Sequence, residues 1–299
     1  NGMTKLDFFL DWEPNCQFAG LIWAREKGLF AQAGLDVRLI PPHENPDTPT
    51  LDLVLGGGLC AGVMEDNLIV RAAAAGKSVR AIGATMQDSP IMLITAPDSG
   101  IGELGDLPGR RIAMHRDGIH LLETVLALHG IEAGSIETTV AGWNLDQLID
   151  GTFDAVQGYT TTEPHTRARR GFATHLIPLR HHDLHPWAQM MFTSDAVIAE
   201  HPDALGRFVS ACKQGWRQAM AEPGETAEMV AACSNEHDDP CENRHILDLM
   251  LPLIAGERGL DHCVTTDPDR WRRNLATYVH FGMIEREISY DAVVCDRFM

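Results

Sequence analysis

The 299 residues exceed the ~100–200 of one ordinary domain, so length predicts two lobes or one large α/β domain with an ample core. A formal charge of -18, from 42 acidic against 24 basic residues, excludes nucleic acid and anionic membrane as expected partners, because both need a basic face. No run approaches the ~18 apolar residues that span a bilayer, so direct membrane insertion is not expected.

Asn1-Gly2 ahead of Met3 looks like a tag remnant, and no signal peptide precedes the first strand. The compartment stays open: periplasmic if a signal was trimmed, cytoplasmic if Met3 is the native start. Seven cysteines, an odd count without framework spacing, lean toward a reducing compartment.

The first stretch, Leu6 to Ile40, is a βαβ unit. Leu6, Phe8 and Leu10 alternate as a strand. Phe18, Leu21, Ile22, Ala24, Leu29 and Phe30 recur at helical spacing, with Gly28 and Gly34 punctuating the helix end, and Leu35, Val37 and Leu39 alternate again. Trp12, Pro14 and Asn15 follow the first strand, where open α/β sheets place their ligands, and Trp12 with Phe18 offers an aromatic pair for a flat ring. Phe18 is equally suited to be the first core residue of its helix.

The loop Pro41 to Pro49 turns His43, Glu44 and Asn45 toward either a ligand or solvent. After the strand Leu59 to Met64, Glu65, Asp66 and Asn67 open a helix. That is good capping chemistry, yet Glu65 also stands at a strand's carboxyl end. A strand region from Lys77 to Thr85 breaks at Met86 to Pro90. A second series follows: a strand and turn in IMLITAPDSGI, another in GELGDLPGRRIAMHRDGIH, the loop His115 to Gly118, a helix from Ile119 to His129, the strand 136–140, the turn Gly142-Trp143-Asn144 and a helix from Leu145. The strand through Val156 ends in the hydroxyl-rich run Tyr159, Thr160, Thr161, Thr162, Glu163 and Pro164. Ala188 to Thr193 is a further strand. From Ser194 the chain is helical, with Phe208, Cys212 and Trp216 as a core stripe.

The segments DWEPN and AGLIWAREKGLFAQAGLDV resemble the opening of the family that holds fungal thiamine-pyrimidine synthases and bacterial substrate-binding proteins for pyrimidine precursors, riboflavin and sulfonates. Asp106-Leu107-Pro108-Gly109-Arg110-Arg111-Ile112 is similar to the start of the second lobe in bilobal members. The resemblance implies a two-lobed periplasmic-binding-protein type 2 fold, each lobe a mixed sheet flanked by helices. Lobe one is expected at 3–88 plus 190–299 and lobe two at 89–189. It further implies a small-molecule ligand, a flat heteroaromatic such as a thiamine-pyrimidine precursor, enclosed between the lobes, with an ABC permease as partner and no cofactor. The expected ligand-binding residues are Trp12, Asn15, Phe18, Asn45, Glu65 and His115, and further on Asp117, Trp143, Asn144, Tyr159, Thr160 and Glu163. In relatives the loop matching His115 to Gly118 offers backbone donors to a polar or anionic group.

The alternative is a cytosolic enzyme of thiamine-precursor biosynthesis on the same fold, with Cys16, Cys60, His115 and Glu65 as reactive groups. The fungal synthases that the chain resembles consume a lysine, which holds pyridoxal phosphate, and a nearby histidine. Here Met64 and Leu68 stand at those positions, and neither can do that chemistry. Asp117 in HRDGIH would repel a cofactor phosphate, and QMMFTS lacks the synthases' iron-binding cysteines. Phe18 replaces a histidine of pyrimidine-handling relatives, which bears on the pyrimidine itself. Cys233, His237, Cys241 and His245 repeat every four residues and have zinc-ligand chemistry; on one helix they would stretch over ~18 Å, whereas a loop at Pro240 and the SNEHDDP segment would let them fold back. No metal is expected.

Overall fold

The structure is a computed structural model that describes residues 2–141, 145–161, 171–181 and 183–299. The chain divides into two compact units, one of Asn1–Asp88, Trp187–Arg272 and Ile288–Met299, the other of Ser89–Pro186 and Arg273–Glu287.

The first unit holds β1 (Thr4–Phe9), β2 (Leu35–Ile40), β3 (Cys60–Met64), β4 (Val79–Met86) and β10 (Ala188–Ser194), in the spatial order β2-β1-β3-β10-β4. β1 runs parallel to β2 and β3, whereas β10 is antiparallel to both β3 and β4. The central strands β3 and β10 are buried along their whole length, as strands covered on both faces must be. Val294 and Thr265 form isolated bridges to Ala81 and Ala84 on β4, so the outer edge of that strand is partly paired.

The crossover from β1 to β2 is a helix in two pieces, α1 (Ala19–Glu26) and α2 (Leu29–Gln32). Gly28 adopts a left-handed φ of 70° between them, which ends the first piece while Leu29 and Phe30 stay in the core. Across α1 lies the helix Pro202–Ala221, whose Phe208, Cys212 and Trp216 are all buried. The two helices touch through glycines. A Cβ on Gly20 would stand 2.3 Å from the Trp216 ring, and one on Gly215 would stand 2.3 Å from the Gly20 carbonyl oxygen. Glycine inside a helix is unfavourable by itself, and here close backbone approach offsets that.

The second unit contains β5 (Ile91–Thr95), β6 (Arg111–Met114), β7 (Glu137–Val140), β8 (Ala155–Tyr159) and β9 (His175–Pro178), ordered β7-β6-β8-β5-β9. β6 is parallel to β7 and β8, and β5 is antiparallel to β8 and β9. Ile94, Ala113, Leu145, Leu148 and Val156 form one of its buried clusters. Segment 273–287 is tied in by two hydrogen bonds between Asn274 and the His185 backbone, 2.9 and 3.1 Å, and by Thr277 Oγ1 donating to the Asp183 carbonyl at 2.7 Å. β9 is not foreseen from the sequence: HLIP is four residues long and ends in proline.

Gly215→Ala should lower stability by ~1–3 kcal/mol or more, since the added methyl meets backbone that cannot rotate away. Urea denaturation of the variant against the parent measures it, with a fall in midpoint at unchanged slope as the expected result.

Candidate functional site

In the first unit the carboxyl ends of β1 and β3 lie on one side of the sheet, and β10, running the other way, begins there. Three polar side chains meet at this rim. Asp11 follows β1, Glu65 follows β3 and Gln189 is the second residue of β10, one place beyond the Met190–Met64 pair. Gln189 Nε2 donates to Asp11 Oδ2 at 3.2 Å and lies 3.5 Å from Glu65 Oε1. Glu65 and Gln189 are only 2% and 1% exposed. One amide N–H₂ thus serves two carboxylates, and the cluster is rich in acceptors. A ligand group that offers donors, such as an amino group or a protonated ring nitrogen, matches it.

Gln189 has a φ of 52°, a left-handed conformation that L-residues rarely take. Its backbone is pinned from both sides. Thr85 Oγ1 donates to the Gln189 carbonyl at 2.8 Å, and Asp66 Oδ2 accepts from the Trp187 N–H at 3.0 Å. Trp187 is stacked between further groups, with its ring 4.9 Å from that of Trp271 and the Arg270 guanidinium 4.0 Å over its face. Burial pushes the Asp66 carboxyl up to about 7, against the Trp187 N–H, the Arg270 charge and the Asn67 N–H, which lower it.

Trp12, directly after Asp11, is 46% exposed. Phe18 is 1% exposed within the hydrophobic core, and packing accounts for its helical spacing. Asn15 is used locally, its Oδ1 accepting from Gln17 N at 2.7 Å and its Nδ2 donating to the Glu13 carbonyl. The Asn45 backbone closes turns with Pro42 and Thr48, and neighbouring His43 pairs through Nδ1 with Glu13 at 2.6 Å.

In the second unit His115 follows β6, and Tyr159 ends the parallel neighbour β8, with Thr160 next. Thr160 N donates to the Pro90 carbonyl. Gln157 of β8 links the loop: its Oε1 accepts from His115 N at 3.0 Å and its Nε2 donates to Asp117 Oδ1 at 3.1 Å. Burial pushes the His115 imidazole down, opposed by Asp117. Trp143, Asn144 and Glu163 lie outside the described residues.

The thiols named for an enzymatic reading are poor nucleophiles. Burial pushes Cys16 far up and Cys60 up to about 11, and each thiol donates to a backbone carbonyl. Cys233 ends one helix, and Cys241 and His245 stand on the next, Pro240–Ala255, with His237 in the loop between. Among the described residues no group of three or more His, Cys, Asp or Glu is placed to hold a metal. Likewise no helix among them is long and apolar enough to cross a membrane.

Asp11, Gln189 and Gln157 are not singled out by sequence reasoning. Asp11 carries a signal, as the first acid after an apolar strand; the two glutamines sit inside apolar strands.

Two mixed sheets flanked by helices, with the chain passing back into the first after the second, are the architecture of the periplasmic binding proteins. The aliphatic sulphonate binding protein SsuA of Escherichia coli superposes with a TM-score of 0.71 over 98% of this chain and 97% of its own, at 12% identity, a likeness of fold. A family model described as NMT1/THI5 like matches residues 15–226, and the chain belongs to that family. The riboflavin-binding protein RibY of Chloroflexus aurantiacus is 22% identical over 99% of this chain and 86% of its own. The 4-amino-5-hydroxymethyl-2-methylpyrimidine phosphate synthase of Legionella pneumophila is 24% identical over 99% and 92%. A Haemophilus influenzae relative is 26% identical over 157 residues, and the chain spans about half of its length, 49%.

Asp66 yields a pH test. Its folded pKa lies above its ordinary 3.8, so the native state holds a proton that the unfolded chain releases between about pH 4 and 7. Its contribution therefore falls as pH rises through that window, by on the order of 2–4 kcal/mol. Asp66→Asn should flatten the decline in stability between pH 4 and 7, read by urea denaturation across that range; parallel curves for parent and variant would contradict it.

Proposed function

We propose that the protein is a small-molecule binding protein, the solute-capturing component for an ABC permease, whose ligand is a flat heteroaromatic bearing donor groups, of the thiamine-pyrimidine precursor class. The observation that carries this reading is the buried acceptor cluster of Asp11, Glu65 and Gln189, with the exposed indole of Trp12 next in sequence. An aminopyrimidine has what such a rim asks for: a face to stack and an edge of donors. Similarity to a riboflavin-binding relative supports a heteroaromatic ligand, and similarity to a pyrimidine phosphate synthase supports the pyrimidine class.

Of the groups named for the enzyme alternative, Cys16, Cys60, His115 and Glu65, only the carboxylate of Glu65 belongs to the described acceptor cluster at the rim. The family resemblance puts Met64 and Leu68 where the synthases carry lysine and histidine, and burial favours the protonated form of the Cys16 and Cys60 thiols.

Titration calorimetry with 4-amino-5-hydroxymethyl-2-methylpyrimidine and with riboflavin tests the reading. One of the two should bind and be recovered intact. Trp12→Ala should then weaken binding by ~1–3 kcal/mol, or roughly 5–150-fold. Unchanged affinity in a folded variant would remove Trp12 from the site, and conversion of the probe to a product would favour the enzyme.

A further inference from the structure

Gln189 carries a polar atom that the first unit does not use. Its amide Nε2 donates to Asp11 Oδ2 at 3.2 Å and lies 3.5 Å from Glu65 Oε1, which takes up the donor side of the group. The other corner of the same planar amide, Oε1, is buried and has no hydrogen-bond partner among the described residues. Gln189 as a whole is 1% exposed. A buried acceptor without a donor is costly, so the rim holds a place that a donor from outside the chain would fill.

The amide cannot exchange its two corners. Turning it over would set Oε1 against the two carboxylates, acceptor facing acceptor, and would give up both contacts of Nε2. The backbone is equally fixed, since Thr85 Oγ1 donates to the Gln189 carbonyl at 2.8 Å and φ is held at 52°. Glycine would take that φ without strain, so the turn itself does not call for a glutamine. The amide does two things instead: one corner joins Asp11 to Glu65, and the other presents an acceptor of fixed direction.

We infer that Gln189 is a specificity-determining residue: its Oε1 accepts from an amino group of the ligand and so selects amino-substituted heteroaromatics over their oxo counterparts. The inference rests on the aminopyrimidine reading for its ligand class, and on the orphaned Gln189 oxygen for its mechanism. Replacing the amino group of a 4-aminopyrimidine by a carbonyl exchanges donor and acceptor along that edge of the ring. The new carbonyl oxygen would stand against Oε1, and the amide cannot turn to relieve this while the carboxylates hold Nε2. All the residues involved belong to the first unit.

The parent protein and Gln189→Gly are each titrated by calorimetry with 4-amino-5-hydroxymethyl-2-methylpyrimidine and with its 4-oxo counterpart. Separately, 4-aminopyrimidine and pyrimidin-4-one are added at millimolar concentration while the Gln189 side-chain amide, assigned by its loss in the variant, is followed by NMR. The parent should prefer the amine by about 100-fold or more, and the variant should narrow that preference by about tenfold or more. 4-Aminopyrimidine should shift the Gln189 amide signals of the parent, and pyrimidin-4-one should leave them in place. Equal affinity of the parent for the two hydroxymethyl compounds overturns the inference and leaves Oε1 to a trapped water. A variant with an unchanged ratio overturns it as well. If the parent binds neither hydroxymethyl compound, the aminopyrimidine reading fails and the two small probes alone decide: no shift, or equal shifts, overturns the role of Gln189. Should Gln189→Gly not fold, Gln189→Asn takes its place, because asparagine tolerates a left-handed φ and draws the amide back by one methylene. It must narrow the preference by about threefold or more; an unchanged ratio overturns the inference.

Discussion

Two carboxylates brought to one sheet edge repel each other unless a donor lies between them, and in the first unit that donor is Gln189. Much of the local architecture serves to put it there. β10 runs opposite to β3, so its start lies beside the end of β3. Asp66, the residue after Glu65, holds the Trp187 N–H, and Thr85 on the other neighbour holds the Gln189 carbonyl. Between these two bonds the backbone takes a left-handed turn that it would not choose alone. Asp66 carries its own desolvation cost to do this, and the tryptophan pair with Arg270 above it closes the region to water.

The chemistry this leaves at the rim is that of acceptors. Charge across the whole chain is acidic as well, with a formal -18. The described side chains at this rim offer oxygen acceptors, and the Trp12 indole next to Asp11 in sequence is exposed. That is the chemistry of capture, in which selectivity comes from which hydrogen bonds are left unmade by the wrong molecule.

Local pattern carried much of the fold. Alternation in Leu6 to Leu10 and Leu35 to Leu39, helical spacing between them and the glycines at 28 and 34 give the first βαβ unit directly, and the long helices after Ser194 show their apolar stripes. Long-range facts were hidden. Gln189 and Gln157 each sit in an otherwise apolar strand, and nothing local says that one bridges two carboxylates and the other fills a loop 42 residues away. Phe18, open to two readings because core and ligand-facing aromatics have the same spacing at a helix start, is packed in the core. The Cys and His series from 233 to 245 passes from one helix to the next through a loop, which Pro240 signalled in the sequence.

The placement of β10 also sets an order of events during synthesis. In the finished sheet β3 and β4 do not pair with each other, and β10 lies between them. The strand that joins them is made only after the whole of Ser89–Pro186. The second unit's strands are all complete by then, whereas the first must wait with open backbone edges, the kind of surface that pairs with other chains and that chaperones cover.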